Sequence, residues 1–202
     1  MKIDRNGIAK ITGIILCGGQ SCRFGKDKGL CHLGDKPMIR YAIDSLLPVC
    51  GEILISSNDP EYSSLGFKTV PDEIKGTGPI SGILAGLKIS KTTDNFIISC
   101  DMPFINTDLI KHIFQNKDDS LAASAYCKEF TEPLCSYFNK NAIPFIEKNI
   151  FDKKYKMIDL LNNINYKKIL IDNSLPFYDD NLFLNVNTPE HYEKAEKILK
   201  LK

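Results

Sequence analysis

Apolar residues follow two rhythms along this chain, short unbroken runs and stretches at helical spacing, and the two take turns. Ile11 to Leu16 is a continuous β-branched run ending at Gly18-Gly19, which predicts a strand buried on both faces that runs into a glycine loop. Pro37 to Leu47 sets Met38, Tyr41, Ala42, Ser45 and Leu46 at helical spacing with Pro37 near the first helical position, so a helix is expected there. Glu52 to Ser56 reads as a second strand, and a short strand ending near Val70 leads into Pro71-Asp72. Pro79 opens a helix whose Ile80, Ile83, Leu84 and Leu87 make one apolar face. Asn95 to Ser99 is the next strand, and Asn106 to Gln115 a helix capped by Asn106 or Thr107. Leu121 to Tyr126 and Leu134 to Phe138 read as two more strands, Asn173 to Asn181 as a polar loop, and Thr188 to Leu199 as a closing helix with Thr188 as N-cap and Pro189 after it.

This alternation predicts an α/β fold, a single three-layer domain over residues 1–202 with a mainly parallel sheet flanked by helices on both faces. Ligands of such sheets gather at the carboxyl ends of the strands. Composition agrees: 43% hydrophobic and 25% charged residues are those of an ordinary globular chain. A net charge of +1 leaves no field that would make nucleic acid or a membrane surface the main partner. An early Asp4 and the shortness of the Ile11 to Leu16 run argue against a secretory leader, so a cytoplasmic location is expected. The seven cysteines form no zinc spacing and no C-x-x-C pair, and free thiols in a reducing compartment are expected, with Cys17 and Cys100 as small buried fillers.

The candidate chemistry begins after the first strand. Between Leu16 and Lys28 lie Gly18, Gly19, Gly25, Arg23 and Lys26, a set that lets backbone N–H groups and cationic side chains approach anionic oxygens. The spacing fits neither the dinucleotide fingerprint nor the P-loop, and taken alone it suits a solvated turn as well as a phosphate cradle. Asp101 ends the apolar run Phe96 to Cys100, where it can cap the turn before Pro103 or serve as a hard oxygen ligand for Mg²⁺. Gly82 and Gly86 leave a bare helix face for a ligand or for close packing on the sheet. Asn185 and Asn187 alternate around Val186, so on a strand they would face one partner, while their place before Thr188-Pro189 also suits turn chemistry.

The segment LCGGQSCRFGKDKGL resembles the signature of the molybdenum cofactor guanylyltransferases, within the nucleotide-diphospho-sugar transferase-like folds. Thr77 to Gly82, Ser99 to Phe104 and Asn185 to Glu190 resemble three further motifs of that family, in the same order. Departures are Cys17 where a small residue is usual and Phe24 where Met is familiar; both keep apolar character and are expected to leave the backbone donors free. The resemblance implies a Rossmann-like nucleotidyltransferase fold and transfer of GMP from GTP to the phosphate of molybdenum-loaded molybdopterin. It implies Lys28, Arg23 and Asp101 as catalytic residues, with Asp101 holding Mg²⁺. Leu16, Cys17, Gly18, Gly19, Lys28, Ser56, Asp72, Gly78, Pro79 and Asp101 would surround the nucleotide, and Asn185 and Asn187 the acceptor. Molybdenum-cofactor insertion proteins and molybdoenzymes would be its partners. Rival readings are a relative that uses CTP, one acting on a sugar or polyol phosphate, and a non-catalytic protein that binds nucleotide and delivers the cofactor.

Overall fold

The computed structural model describes residues 11–18, 27–72, 74 and 76–201. Strand β1 (Ile11–Leu16) is followed, past a 3₁₀ turn at Lys28–Leu30, by a small hairpin of β2 (His32–Leu33) and β3 (Lys36–Pro37). Helix α1 (Met38–Leu46) begins directly after Pro37, which is its N-cap and not its first helical residue. Then come β4 (Glu52–Ser56), β5 (Lys68–Val70), α2 (Pro79–Ile89), β6 (Asp94–Ser99) and α3 (Thr107–Gln115). Asn106 caps α3, its side chain accepting from the Leu109 N–H at 2.9 Å. The second half holds β7 (Ala122–Cys127), β8 (Phe130–Asn139), α4 (Ile143–Phe151), α5 (Met157–Asn162), β9 (Tyr166–Leu170) and α6 (Pro189–Leu201). Thr188 stands before α6, its hydroxyl accepting from the His191 N–H at 3.3 Å.

Seven strands form one sheet in the order β5-β4-β1-β6-β8-β7-β9. All its neighbouring pairs are parallel except those of β8, which runs antiparallel to both β6 and β7. The reversal at β8 leaves β7 and β9 aligned with β6, so the carboxyl ends of β1, β4, β5, β6, β7 and β9 form one rim. The continuous apolar runs of the central strands serve both faces. Ile11 and Ile15 of β1 and Phe96 and Ile98 of β6 pack under α1 and α3. Ile14 and Leu16 pack with Ile97 under α2, α4 and α5.

Helix α2 lies close on the sheet because two glycines face it. A Cβ on Gly86 would stand 2.7 Å from Ile14 Cγ2, and one on Gly82 would stand 2.7 Å from Ser56 Oγ. The bare face expected on this helix therefore serves packing at Gly82 and Gly86, not a ligand. A third, smaller cluster joins Leu33 and Met38 to Val186 and Ala195, and so ties α6 to the β2-β3 hairpin. Among the described residues no helix is long and apolar enough to cross a membrane.

Candidate active site

The rim gathers residues that are far apart in sequence. Asp27 caps the 3₁₀ turn, accepting from the Gly29 N–H at 3.0 Å and from the Tyr62 hydroxyl, and this fixes where Lys28 starts. Gly29 leaves no room for a Cβ, which would collide with the Tyr62 hydroxyl and lie 3.1 Å from Cys100 Sγ. From that seat the Lys28 ammonium lies 3.3 Å from Asp101 Oδ2 and donates to Asn187 Oδ1. Both charged side chains of the ion pair are 16% exposed, so their attraction is screened less than that of a surface pair.

Asp101 follows β6 by two residues. Its Oδ1 accepts from the Ser99 hydroxyl at 2.6 Å, and its carbonyl accepts from the Val186 N–H at 2.8 Å. That last bond brings the segment 185–187 to the site. The segment is irregular chain and not the strand expected for Asn185 and Asn187, because the Asn187 N–H turns back to the Asn185 carbonyl at 3.1 Å. The two amides therefore do not act as a matched pair on one face: Asn187 meets Lys28, and Asn185 is half-buried beside it.

Leu16 and Cys17 are spent on the sheet. The Cys17 N–H donates to the Ser56 carbonyl at 2.8 Å, and the Leu16 carbonyl accepts from the Cys100 N–H at 3.1 Å. The expectation that substituting Cys17 leaves its backbone donor free is corrected by this bond. Burial pushes the Cys17 thiol well above the usual range, and the neighbouring Cys100 adds to the rise, which suits a buried filler and not a nucleophile. Ser56 is buried, with Gly82 close against its hydroxyl. Gly18 lies at the end of the described part of the loop with φ +128°, a conformation that favours glycine. Gly19 and Arg23 lie outside the described residues.

Across β4 the loop from β5 to α2 carries Asp72, Gly78 and Pro79. Asp72 accepts from the Ser81 hydroxyl at 2.6 Å and the Ile74 N–H at 3.0 Å, so its carboxylate shapes the turn. Gly78, at φ +70° and ψ −151°, sits where a side chain would be strained, and with Pro79 it is exposed at the start of α2. Tyr62, which sequence reasoning missed, supports the whole arrangement; it lies in the polar stretch Pro60–Leu65, where a single aromatic carries no signal.

A cation could be held by Asp101. Among the described residues no three His, Cys, Asp or Glu side chains converge, so a metal here would draw its other oxygens from substrate and water, as Mg²⁺ commonly does.

Residues 13–165 match the family described as the MobA-like NTP transferase domain, well over half of the chain. The chain belongs to this family. Its fold is that of a nucleotidyltransferase. The probable molybdenum cofactor guanylyltransferase of Carboxydothermus hydrogenoformans is 32% identical over 194 residues, which cover 95% of this chain and 98% of that protein. The molybdenum cofactor guanylyltransferase of Vibrio parahaemolyticus is 36% identical over 182 residues, 88% of this chain and 90% of that one. Among solved structures, molybdopterin-guanine dinucleotide biosynthesis protein A from Archaeoglobus fulgidus superposes with a TM-score of 0.79 at 24% identity, over 95% of this chain and 100% of that one. The CMP:2-keto-3-deoxy-manno-octonic acid synthetase complexed with CTP shares the fold, with a TM-score of 0.74 at 13% identity over 96% and 99% of the two chains.

Proposed function

We propose that this protein transfers GMP from GTP to the phosphate of molybdenum-loaded molybdopterin, releasing pyrophosphate. The observation that carries the reading is the convergence of Lys28, Asp101 and Asn187, one residue from each of three separate motifs, at the carboxyl rim of a MobA-like nucleotidyltransferase fold. The relatives named as guanylyltransferases support the choice of nucleotide and acceptor.

In this reading an oxygen of the acceptor phosphate attacks the α-phosphorus of GTP in line. A new phosphorus–oxygen bond forms, and the bond to the β-phosphate breaks. A phosphate monoester is already anionic at neutral pH, so no general base is required; the work is positioning and charge neutralisation. The Gly18-Gly19 backbone and Arg23 hold the triphosphate, and Gly78 and Pro79 border the nucleotide. Lys28 neutralises charge at the α-phosphate, with Asp101 and Asn187 setting the direction of its ammonium. Asp101 also fits as the protein ligand of Mg²⁺, which when bound would neutralise phosphate charge. Asn185 and Asn187 stand on the acceptor side. We place the reaction in the cytoplasm, a setting that suits the free thiols of Cys17, Cys50, Cys100, Cys127 and Cys135. Insertion proteins and molybdoenzymes would take up the product.

The test is pyrophosphate release by the purified protein with Mg²⁺ and molybdenum-loaded molybdopterin, with GTP, CTP and ATP offered in parallel. Release with GTP alone is the expected result. A preference for CTP would move the protein to the cytidylyl relatives, and nucleotide binding without release would make it a carrier.

A further inference from the structure

A second cavity, of about 190 Å³, opens on the same rim, lined by Cys127, Lys128, Glu132, Tyr178, Asn181 and Phe183. The chain that closes it runs straight on to Asn185. Its position relative to Asp101 follows from strand register. Ile98 and Cys135 are the last paired residues of β6 and β8. Asp101 lies three residues past the first of these and Glu132 three residues before the second, so both carboxylates reach the same rim on neighbouring strands.

Glu132 is held there by a break in the ladder. Ser124 of β7 pairs with Ser136 of β8, but Ala125 pairs with Glu132, so Pro133 to Cys135 bulge out of register. Two buried hydroxyls brace the bulge: Ser124 donates to the Glu132 carbonyl at 2.7 Å, and Ser136 Oγ lies 2.8 Å from both the Pro133 carbonyl and Ser124 Oγ. Such bulges re-aim side chains beside functional sites.

Of the other charges of the cavity wall, Lys194 stands without an ion-pair partner among the described residues, while two more groups are engaged with each other. Lys128 pairs with Asp180 at 2.8 Å, and the Tyr178 hydroxyl donates to the same carboxylate at 3.0 Å. The Glu132 carboxylate has no hydrogen-bond donor and no cation within ion-pair distance among the described residues. Burial alone raises its pKa above the ordinary carboxylate range. A half-buried carboxylate without a donor is costly unless a ligand supplies one.

We propose that Glu132 is a specificity-determining residue that reads the pterin of the acceptor, its carboxylate accepting from the 2-amino group and the adjacent ring N–H. This rests on the acceptor being a pterin, as in the function proposed above. Two parallel donors match the two oxygens of a carboxylate. Tyr178 and Phe183 on the cavity wall offer apolar surface to a flat ring. The volume is below the roughly 300–1,000 Å³ of a complete ligand site, so the cavity suits one ring system of a larger ligand. Guanine presents the same donor edge, but Gly78 and Asp72 lie beyond β4, with β1 and β6 between them and β8 in the sheet.

The test uses the full chain and its E132Q variant, varying GTP and molybdenum-loaded molybdopterin separately while following pyrophosphate release. The amide replaces one acceptor by a donor, and the KM for the acceptor should rise about ten- to hundredfold, the loss of one charge-assisted hydrogen bond. The KM for GTP and the melting temperature should not fall or rise appreciably. An unchanged acceptor KM, or a larger change in the KM for GTP, would overturn the proposal. If the wild-type protein releases no pyrophosphate, the proposed reaction fails on its own. Binding of molybdopterin without nucleotide, followed by fluorescence, then still decides Glu132: weaker binding by E132Q supports the assignment, and equal binding overturns it.

Discussion

Around β1, β4 and α2 the rim is made of backbone and close-packed glycine, and its carboxylates already have donors: Asp27 has Gly29 and Tyr62, and Asp72 has Ile74 and Ser81. Around β8 and β7 it is made of side chains on a bulged pair of strands, and Glu132 has no donor among the described residues. The first region meets its own hydrogen-bonding demand within the described residues. The second leaves a hydrogen-bonding demand open, which suits recognition of a particular ring. Lys28 and Asp101 stand where the two meet.

That contrast can be broken or sharpened by substitution. The largest effect is expected at the junction. Lys28→Ala should lower turnover by about 10²–10³, the scale of losing one preorganised charge partner of a transition state, while leaving the melting temperature close to wild type. Pyrophosphate release and thermal melting check this together. Adding Asp101→Asn should cost less than the two single losses combined, because the residues share one ion pair.

A smaller loss is expected in the close-packed region. Gly86→Ala puts a Cβ 2.7 Å from Ile14 Cγ2, and overpacking of about 1–3 kcal/mol should outweigh the roughly 0.8–1 kcal/mol gained by alanine in a helix. A net loss of up to about 2 kcal/mol, read by urea denaturation, would confirm that α2 has no slack; an unchanged midpoint would show that the region yields.

Smallest in stability is Ser136→Ala. It removes a buried hydroxyl from the bulge and should cost about 1 kcal/mol. Its signature is selective: the KM for the acceptor should rise a few-fold while that for GTP stays put. Equal movement of both constants would erase the distinction between the two regions.

Much of this was legible in the residue pattern, and the misses have physical causes. Strands β1, β4, β5 and β6 and helices α1, α2 and α3 announce themselves because a sheet covered on both faces needs continuous apolar runs, and the helices need a stripe. Strand β8 was expected from Leu134 but begins at Phe130, since Pro133 reads as a break when it is in fact absorbed by the bulge. The β2-β3 hairpin, helices α4 and α5 and strand β9 were not anticipated; β9 is an edge strand, Tyr166–Leu170, with two lysines in five residues. Lys28 and Asp101 could be found by motif, but their contact spans 73 residues and no local spacing reports it. Nor could spacing show that the Cys17 N–H is consumed by Ser56, or that the Glu132 carboxylate finds no donor among the described residues.

The contact between Lys28 and Asn187 joins residues 159 positions apart, and Val186 is packed against Leu33 and Met38 in the same cluster as Ala195 of α6. At about 5–20 residues per second, roughly 8–30 s of synthesis separate the appearance of the lysine from that of its amide partner. During that interval the nascent chain can build the β1-β4-β6 sheet, yet its lysine waits without the group that aims it. In the function proposed above, catalytic competence is therefore a late event in the life of each molecule, and a ribosome-bound chain halted before residue 187 would lack the amide that aims Lys28.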